Sequence, residues 1–379
     1  MLLKSTLFLC FLPMVFEFVF GQNNTDVSSS SSRSSNAGVN VRDYHYITWD
    51  DMKVDDSTES VSKTEIKGKE NWNVSGIIVV DQSGKTGNSV TVQGAVDLVP
   101  FGNSKRVKIV ILPGIYRERV VVPSSKPYIS FIGMPNQSAN TVITWNSKAS
   151  DRTSNGEELG TFGSATITIF SDYFCASEIT FQNTVVAIPG WLGMQAVALR
   201  VSAEKAVFYK VNILGSQDTL LDESGSHYFY QCLIQGSIDF IFGNAKSLYQ
   251  YTTLRSMANQ SGAIAAHHRN SPNEDTGFSF LNCSITGSGK IYLGRAWGPY
   301  SRAIYSYCDI DDIIAPEGWS DWGVPERQKT AVFGEFQCRG KGSNASGRVR
   351  WARSFRIDDA RPFLDMEFID GNKWLRLSF

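Results

Sequence analysis

The sequence has 379 residues, of which 42% are hydrophobic and 19% charged, and its formal net charge is −1. A chain of this size can bury a sizeable core in one large domain or two small ones. Because the net charge is close to zero, the chain lacks the excess of basic residues that nucleic-acid binding requires, and that class of partner is excluded. The many Gly, Phe, Val, Ile and Thr residues favour β-structure with frequent turns.

Residues 1–21 have the pattern of a secretion signal. Lys4 supplies the positive start, an apolar run follows, and the small residue Gly21 offers a cleavage point. Pro13 and Glu17 interrupt the run, which argues against a membrane-spanning helix, and no later segment is long and apolar enough to span a bilayer. The sequence therefore predicts a secreted protein with no membrane partner.

The sequons and cysteines are consistent with secretion. Asparagines that begin an N-x-S/T triplet are Asn23, Asn73, Asn136, Asn259, Asn282 and Asn344. The chain has 6 cysteines, and Cys10 lies in the predicted signal, so an odd number remains and at least one thiol has no partner within the chain. No C-x-x-C occurs and His267-His268 lacks ligand spacing, so no zinc site is expected.

Residues 22–70 are polar and include the run "SSSSSRSS" at 28–35. This segment is too poor in apolar residues to form a core of its own, so we expect a disordered linker. The composition of the chain then changes. Short runs rich in β-forming residues follow, such as "VKIVILPG", "YISFIG" and "ATITIF", and Gly, Asn and Ser separate them. The folded domain is expected to cover residues 71–379.

One short helix is expected near the start of this domain, in "SVTVQGAVDLVP". The apolar residues at helical spacing are Val92, Ala95, Val96 and Val99. Pro100 follows them and should end the element.

Further along the chain, strand runs recur without helices between them. The apolar residues near the ends of these runs are Ile213, Ile234, Leu254, Ile285 and Ile310. Steps of roughly 20 to 30 residues match one coil of a solenoid, and strands repeated at that period indicate a parallel β-helix. A β-sandwich would show repeated tight hairpins, whereas Asn155-Gly156 and Asp370-Gly371 lie outside the repeats. We therefore predict an all-β solenoid with one short N-terminal helix and a loop-rich C-terminal segment.

A lone carboxylate, Asp239, stands among apolar residues in "GSIDFIFGN" at 236–244. Burial of a charge without partners is costly, so the position suggests a function. Gln195, Gln217 and Asp239 are separated by 22 and then 22 residues. With coils of that length they would stack at the strand spacing of roughly 4.8 Å, and Asp218 would lie beside them.

Two carboxylates and two amides in one groove suit ester hydrolysis. One carboxylate can attack an ester carbonyl, and the other, if protonated, can donate a proton to the departing alcohol. Amides can donate hydrogen bonds to the oxyanion that forms. None of this requires a metal or cofactor. The alternatives are that the Gln side chains form a structural ladder and that Asp218 is an ordinary turn residue.

Five segments resemble, in order and spacing, those of plant pectin methylesterases. They are "GIYRE" at 114–118, "QAVALR" at 195–200, "QDTL" at 217–220, "DFIFGN" at 239–244 and "LGRAW" at 293–297. The likeness covers roughly residues 75–379. It implies a right-handed parallel β-helix that removes methyl esters from homogalacturonan (pectin), giving methanol and free carboxylates.

The resemblance also implies roles for individual residues. Asp239 would be the nucleophile and Asp218 the general acid and later base. Gln195 and Gln217 would stabilise the oxyanion, and Arg295 would hold Asp239 ionised. The aromatic residues that resemble those of the family's sugar cleft are Phe162, Phe242, Trp297 and Trp319; Gln195 and Arg295 would also contact substrate.

Two positions depart from the family pattern. Ala296 stands where Pro is commoner, and Leu221 stands where an aromatic residue is usual, which removes one expected sugar platform.

The short Ser-rich arm resembles the class without a helical inhibitor-like pro-region. The resemblance further implies a monomer in the extracellular plant cell wall, with a proteinaceous pectinesterase inhibitor as a candidate partner.

Two other functions are kept as alternatives. A pectin lyase or polygalacturonase would need an acidic calcium cluster or closely placed aspartates, and "DIDDII" at 309–314 is the densest acidic run in the repeats. A wall-binding protein that had lost activity would lack catalytic side chains, whereas all of the expected ones are present.

Overall fold

The structure is a computed structural model that describes residues 46–54, 76–188 and 190–377. The predicted secretion signal and most of the predicted linker lie outside the described residues. Within the described ranges, no helix is long and apolar enough to cross a membrane.

Parallel strands stack coil upon coil and build two large sheets. The eleven-stranded sheet contains, in spatial order, β2 (Ile77–Val80), β3 (Val107–Ile111), β6 (Ile129–Ile132), β9 (Cys175–Ser177), β12 (Ala206–Tyr209), β15 (Ser226–Tyr230), β18 (Lys246–Gln250), β20 (Gly277–Leu281), β22 (Arg302–Ser306), β25 (Val332–Phe336) and β26 (Arg353–Ser354). Each strand pairs in parallel with the one from the next coil, which confirms the predicted parallel β-helix.

The second sheet has fourteen strands and two arms. One arm contains β4 (Gly114–Arg117), β7 (Thr141–Trp145), β10 (Thr180–Asn183), β13 (Asn212–Leu214), β16 (Leu233–Gly236) and β23 (Asp309–Ile310). The other contains β5 (Val120–Val122), β8 (Ile167–Ile169), β11 (Leu199–Ser202), β14 (Leu220–Ser224), β17 (Ile241–Gly243) and β24 (Trp319–Ser320). The long strands β19 (Thr253–His267) and β21 (Ser284–Arg295) run through both arms and join them.

The helices are short. The α-helices are α1 (Val92–Leu98), α2 (Gly160–Gly163) and α3 (Ile357–Ala360). The 3-10 helices are Trp49–Met52, Pro325–Lys329, Lys341–Ser343, Ala345–Gly347, Arg361–Phe363, Met366–Ile369 and Gly371–Lys373. Helix α1 confirms the predicted N-terminal helix: Val92, Ala95 and Val96 are buried, and the Thr91 side chain caps its first turn by accepting a hydrogen bond from the Gly94 amide.

The apolar residues that recur in the sequence form a buried column. Ile213 pairs in register with Ile234, and the column continues through Leu254, Ile285 and Ile310. All five side chains are at most 1% exposed. The sequence period therefore corresponds to one coil, as predicted.

A second column, of aromatic rings, fills the interior behind the eleven-stranded sheet. Phe208, Phe229, Tyr249, Phe280 and Tyr305 stack in that order, with centroid separations of 4.7, 4.7, 4.8 and 4.4 Å. These separations follow the spacing of parallel strands, so each coil adds one ring to the stack.

Residues 46–54 correct the linker prediction. They lie inside the stretch predicted to be disordered, yet β1 (Ile47–Thr48) pairs in parallel with β27 (Leu375–Arg376) near the C-terminus. Ile47 and Met52 are 0% and 3% exposed and pack in an apolar cluster with Trp374. The prediction was wrong here because a few apolar residues in a polar segment suffice when another part of the chain supplies the surface that buries them.

Candidate active site

The two aspartates of the sequence motifs occupy equivalent turns on successive coils. Asp218 lies between β13 and β14, and Asp239 lies between β16 and β17. Gln217 pairs with Ile238, and the Asp218 amide donates to the Ile238 carbonyl oxygen at 3.0 Å, so the two aspartates are neighbours across the coils. Both have left-handed backbone conformations, with φ of 58° and 45°, which Asp tolerates better than most residues.

Asp239 is held by a bidentate ion pair. The Arg295 Nε donates to Asp239 Oδ1 at 2.8 Å, and Arg295 Nη2 donates to Asp239 Oδ2. Asp239 is 5% exposed, so its charge would be unstable without this partner. Arg295 is the last residue of β21, where it pairs in register with Ala266 and Ser320. The pair with Arg295 favours the charged form of this carboxylate and fixes its direction.

Trp322 covers the guanidinium of this pair. The Cζ atom of Arg295 lies 4.0 Å from the centroid of the Trp322 ring, a cation–π geometry. The sequence analysis did not identify Trp322, which lies two residues after β24. Its signal was the second tryptophan of "GWSDWG" at 318–323.

Asp218 has the opposite electrostatic state. Burial and the nearby charge of Asp239 raise the pKa of Asp218 well above its usual value, and the positive charge of Arg295 opposes this shift only in part. An ionised carboxylate thus lies beside one that tends to keep its proton. This pairing suits a nucleophile next to a proton donor.

The two glutamines precede the aspartates in the same groove. Gln195 lies before β11, and the Ala196 amide donates to the Gln217 carbonyl oxygen at 3.1 Å. The buried Oε1 of Gln195 has no hydrogen-bond partner within the described ranges, and no described residue hydrogen-bonds the Gln217 side chain. The structural ladder considered as an alternative is therefore not formed, and both amides are free to bind a ligand.

Trp297 packs against two other rings, those of Phe242 and His268. Its half-buried ring lies 6.1 Å from Phe242, measured between centroids, and 4.1 Å from the ring of His268. His268 was not identified as a site residue by the sequence analysis. Phe242 is only 4% exposed. Its ring packs near that of Trp297 and offers almost no surface to a ligand. A direct contact between Phe242 and substrate stays a prediction.

Trp319 is also predicted as a substrate contact, and the structure places it in the core. It is 1% exposed and stacks on Phe333 with a centroid separation of 4.6 Å, inside the core. Phe162, by contrast, is 46% exposed and lies 4.9 Å from the Arg200 guanidinium, so its ring remains available. Leu221 is 1% exposed.

The acidic run at 309–314 does not resemble a calcium site. Asp309 pairs with Arg339 at 3.2 Å, and Asp312 pairs with Lys290 at 2.8 Å. Throughout the described ranges, no three His, Cys, Asp or Glu side chains are grouped so that they could hold a metal ion.

Comparisons with known proteins agree with the fold and the motifs. The pattern of the pectinesterase family matches residues 77–372. The chain is 55% identical to pectinesterase QRT1 of Arabidopsis thaliana, over 97% of this chain and 99% of that protein. It is 43% identical to putative pectinesterase 11 of the same plant, over 79% of this chain and 81% of that protein.

Solved structures give the same result. Pectin methylesterase from carrot superposes with a TM-score of 0.71 at 35% identity, covering 78% of this chain and 94% of that one. The pectin methylesterase of Aspergillus niger superposes with a TM-score of 0.67 at 27% identity, covering 80% of this chain and 97% of that one. The chain belongs to the pectinesterase family.

Proposed function

We propose that this pectinesterase removes methyl esters from homogalacturonan, yielding methanol and free galacturonate carboxylates, with Asp239 as nucleophile. The observation that carries the proposal is the pairing of Asp239 with Arg295 next to Asp218, whose pKa is raised. The two acids have complementary protonation states, which is the requirement for covalent ester hydrolysis.

In the first half of the reaction, the Asp239 carboxylate attacks the ester carbonyl carbon and forms a C–O bond. The negative charge that develops on the carbonyl oxygen is stabilised by N–H groups of Gln195 and Gln217. As the bond to the methoxy group breaks, Asp218 gives its proton to that oxygen and methanol leaves. The galacturonyl group is then linked to Asp239 as an anhydride, and Asp218 is ionised.

In the second half, the ionised Asp218 accepts a proton from water, and the resulting hydroxide attacks the galacturonyl carbonyl carbon. The anhydride breaks, which releases the galacturonic acid group and restores Asp239 as a carboxylate. Asp218 holds its proton again, so the cycle closes without a metal or redox cofactor. Arg295 keeps Asp239 oriented throughout, since its two hydrogen bonds fix the plane of the carboxylate.

The groove also offers surfaces for sugar rings. Trp297 is half-buried with one face in contact with His268, and Phe162 is exposed near the Gln195 end of the groove. Flat rings of this kind pack well against the apolar faces of pyranose sugars. We assign Trp297 as the principal sugar platform and Phe162 as an outer one.

The site of action that fits this substrate is the plant cell wall. The predicted secretion signal would deliver the chain there, and we propose that it acts outside the cell as a monomer. A proteinaceous inhibitor that covers the groove is a candidate partner, because the exposed rings beside a buried ion pair form a surface that a protein could occupy.

The experiment that tests the function measures two products from highly esterified pectin. We expect methanol release with no fall in viscosity, because ester hydrolysis leaves the glycosidic bonds intact. Activity should be unchanged by a calcium chelator. A fall in viscosity, or unsaturated ends absorbing in the ultraviolet, would instead indicate a polygalacturonase or lyase. Binding of pectin without any product would indicate an inactive wall-binding protein.

A further inference from the structure

Most of the cysteines in the described ranges lie in one column of the solenoid. The column runs through equivalent turn positions on successive coils, in the order Cys232, Thr252, Cys283, Cys308 and Cys338. Each coil is tied to the next by the backbone: the amide that follows Cys308 donates to the Cys283 carbonyl oxygen at 2.9 Å, and the amide that follows Cys338 donates to the Cys308 carbonyl oxygen at 2.9 Å. All described cysteines are reduced thiols in the structure.

The strand register decides which thiols can be joined. Neighbouring parallel strands lie about 4.8 Å apart, within the Cα separation of about 4.4–6.8 Å that a disulfide accepts. Cys232 and Cys283 are separated by the coil of Thr252, hence by about 9.6 Å, which is too far. Cys175 lies in β9 of the eleven-stranded sheet, away from the column. Two pairs remain, Cys283–Cys308 and Cys308–Cys338.

The two pairs differ in how far their thiols are exposed to solvent. Cys283 and Cys308 are 1% and 0% exposed, whereas Cys338 is only partly buried at the end of the column. The Cys308 side chain lies close enough to interact with those of both Cys283 and Cys338, so this proximity does not distinguish the pairs. Their sulfur atoms point the same way, since Cys308 Sγ donates to the Phe280 carbonyl oxygen at 3.3 Å and Cys338 Sγ to the Tyr305 carbonyl oxygen at 3.4 Å. An oxidant can therefore reach Cys338 first, with Cys308 next to it.

We propose that Cys308 and Cys338 form a disulfide, leaving Cys283 as a thiol. The oxidant is a low-molecular-weight disulfide such as oxidised glutathione. The Cys338 thiolate attacks it, forming a mixed disulfide and releasing one glutathione; the Cys308 thiolate then attacks the Cys338 sulfur and releases the second. Two protons leave the protein and two electrons pass to the oxidant. This inference rests on the extracellular location in the proposed function, not on the esterase activity.

The bond is expected to form as the chain folds. The neighbouring Cys308 thiol and burial raise the pKa of Cys338, so little thiolate is present in the folded protein at neutral pH. Before the last coils close, burial does not yet suppress the Cys338 thiolate, and Cys338 is still the outermost thiol of the column. The disulfide then joins two neighbouring coils near the C-terminal end of the solenoid.

The test is a thiol map of the full chain secreted from a eukaryotic host. The protein is denatured without reductant, alkylated and digested, and the peptides are identified by mass spectrometry. We expect a linked pair of peptides containing Cys308 and Cys338, with Cys175, Cys232 and Cys283 alkylated. Alkylation of both Cys308 and Cys338, or a Cys283–Cys308 link, would overturn the proposal.

Two matched variants sharpen this result. Cys283→Ser should keep the linked peptides, and its unfolding temperature should fall on adding dithiothreitol, as that of the unmodified protein does. Cys338→Ser should lose both the link and this response to reductant. The opposite pattern would contradict the assignment. Because the map is independent of methanol release, a failure here and a failure of the proposed esterase function are distinguishable.

Discussion

Asp218 and Asp239 have the same backbone conformation and lie on adjacent coils, yet their surroundings give them different charges. Asp239 has the guanidinium of Arg295 on both of its oxygens, whereas Asp218 is buried beside a like charge. The site therefore contains a buried group that opposes folding when it ionises. Such a group is expected where function and stability conflict.

Asp218→Asn should stabilise the protein at neutral pH while removing activity. The folded state raises the pKa of Asp218, so it binds this proton more tightly than the unfolded chain, whose Asp pKa is about 3.9. Stability from this group is full below that value and is lost as pH rises through the raised folded pKa. Thermal unfolding measured from pH 3 to 8 should show a smaller loss in the variant. An equal loss in both proteins would contradict the assignment.

The same pKa shift predicts the alkaline side of the activity profile. The proposed first step uses protonated Asp218, so methanol release should fall as pH rises through the raised pKa of Asp218 in the folded enzyme. Initial rates at saturating pectin, measured across pH, check this. A rate that does not fall at any alkaline pH at which the enzyme stays folded would show that another group donates the proton.

His268 should position the Trp297 ring. Removing the contact by His268→Ala frees one face of Trp297, so KM for pectin should rise about threefold to tenfold with little change in kcat, which corresponds to about 0.5–1.5 kcal/mol for an aromatic contact. His268→Phe should restore KM. Phe101→Ala, which alters a ring that is 78% exposed near Lys126, is the control and should change neither constant. A drop in kcat alone would contradict a positioning role.

At the scale of secondary-structure elements, the sequence predicted the features that repeat once in every coil. The predicted spacing of 22 residues is one residue longer than the coil. Leu199 pairs with Leu220, and Leu220 with Ile241, at steps of 21 residues. Gln217 therefore lies level with Ile238, and Asp239 stacks on Asp218 rather than on Gln217. The repeat spacing could not predict that Arg295 pairs with Asp239, because the long strands β19, with 15 residues, and β21, with 12, interrupt the period. Family resemblance supplied that partner.

The two tryptophans of one short segment show another limit of prediction from the sequence. Both Trp319 and Trp322 follow β21 in the chain, and sequence alone does not say which side chain enters the core. Trp319 lies in β24 and pairs with Gly294, so it points inward onto Phe333. Trp322 lies beyond the strand and turns back over Arg295. Packing between distant coils, not local pattern, makes this choice.

The N-terminal segment contributes stability that the sequence did not predict. Ile47→Ala should lower the free energy of unfolding by about 2–5 kcal/mol, because Ile47 is 0% exposed against Trp374 and its neighbours. Asp50→Ala is the control: its side chain is 77% exposed, so the change should be within about 0.5 kcal/mol. Urea unfolding measures both, and equal effects would show that this segment is not part of the folded unit.

At the scale of the whole molecule, the interior contains a cluster of buried polar side chains among the aromatic rings. Asp222 accepts hydrogen bonds from Tyr249 and pairs with His227, and both Asp222 and His227 are 0% exposed. Burial lowers the pKa of His227, but the charge and hydrogen bond of Asp222 outweigh it and the net pKa is raised. The solenoid thus holds a hydrogen-bonded Asp222–His227 pair within its core, which is an ion pair when His227 is protonated.

This ion pair predicts a pH dependence of stability. Because the pKa of His227 is raised in the folded state, its contribution is full below the unfolded value of about 6.5 and is lost as pH rises through the folded pKa. Urea unfolding across pH 6 to 9 should therefore show a decline that is reduced in His227→Gln. The same decline in both proteins would mean that other groups cause it.

The solenoid as a whole brings residues 195, 217, 218, 239 and 295 into one groove, and the central claim is that Asp239 performs the chemistry there. The most direct measurement is methanol release from esterified pectin by Asp239→Asn, with Asp309→Asn as control, since Asp309 is 56% exposed in its surface pair with Arg339. We predict a loss of at least about 10³-fold for Asp239→Asn, with circular dichroism showing a folded protein, and full activity for Asp309→Asn. A folded Asp239→Asn protein that still releases methanol at a comparable rate would contradict the account.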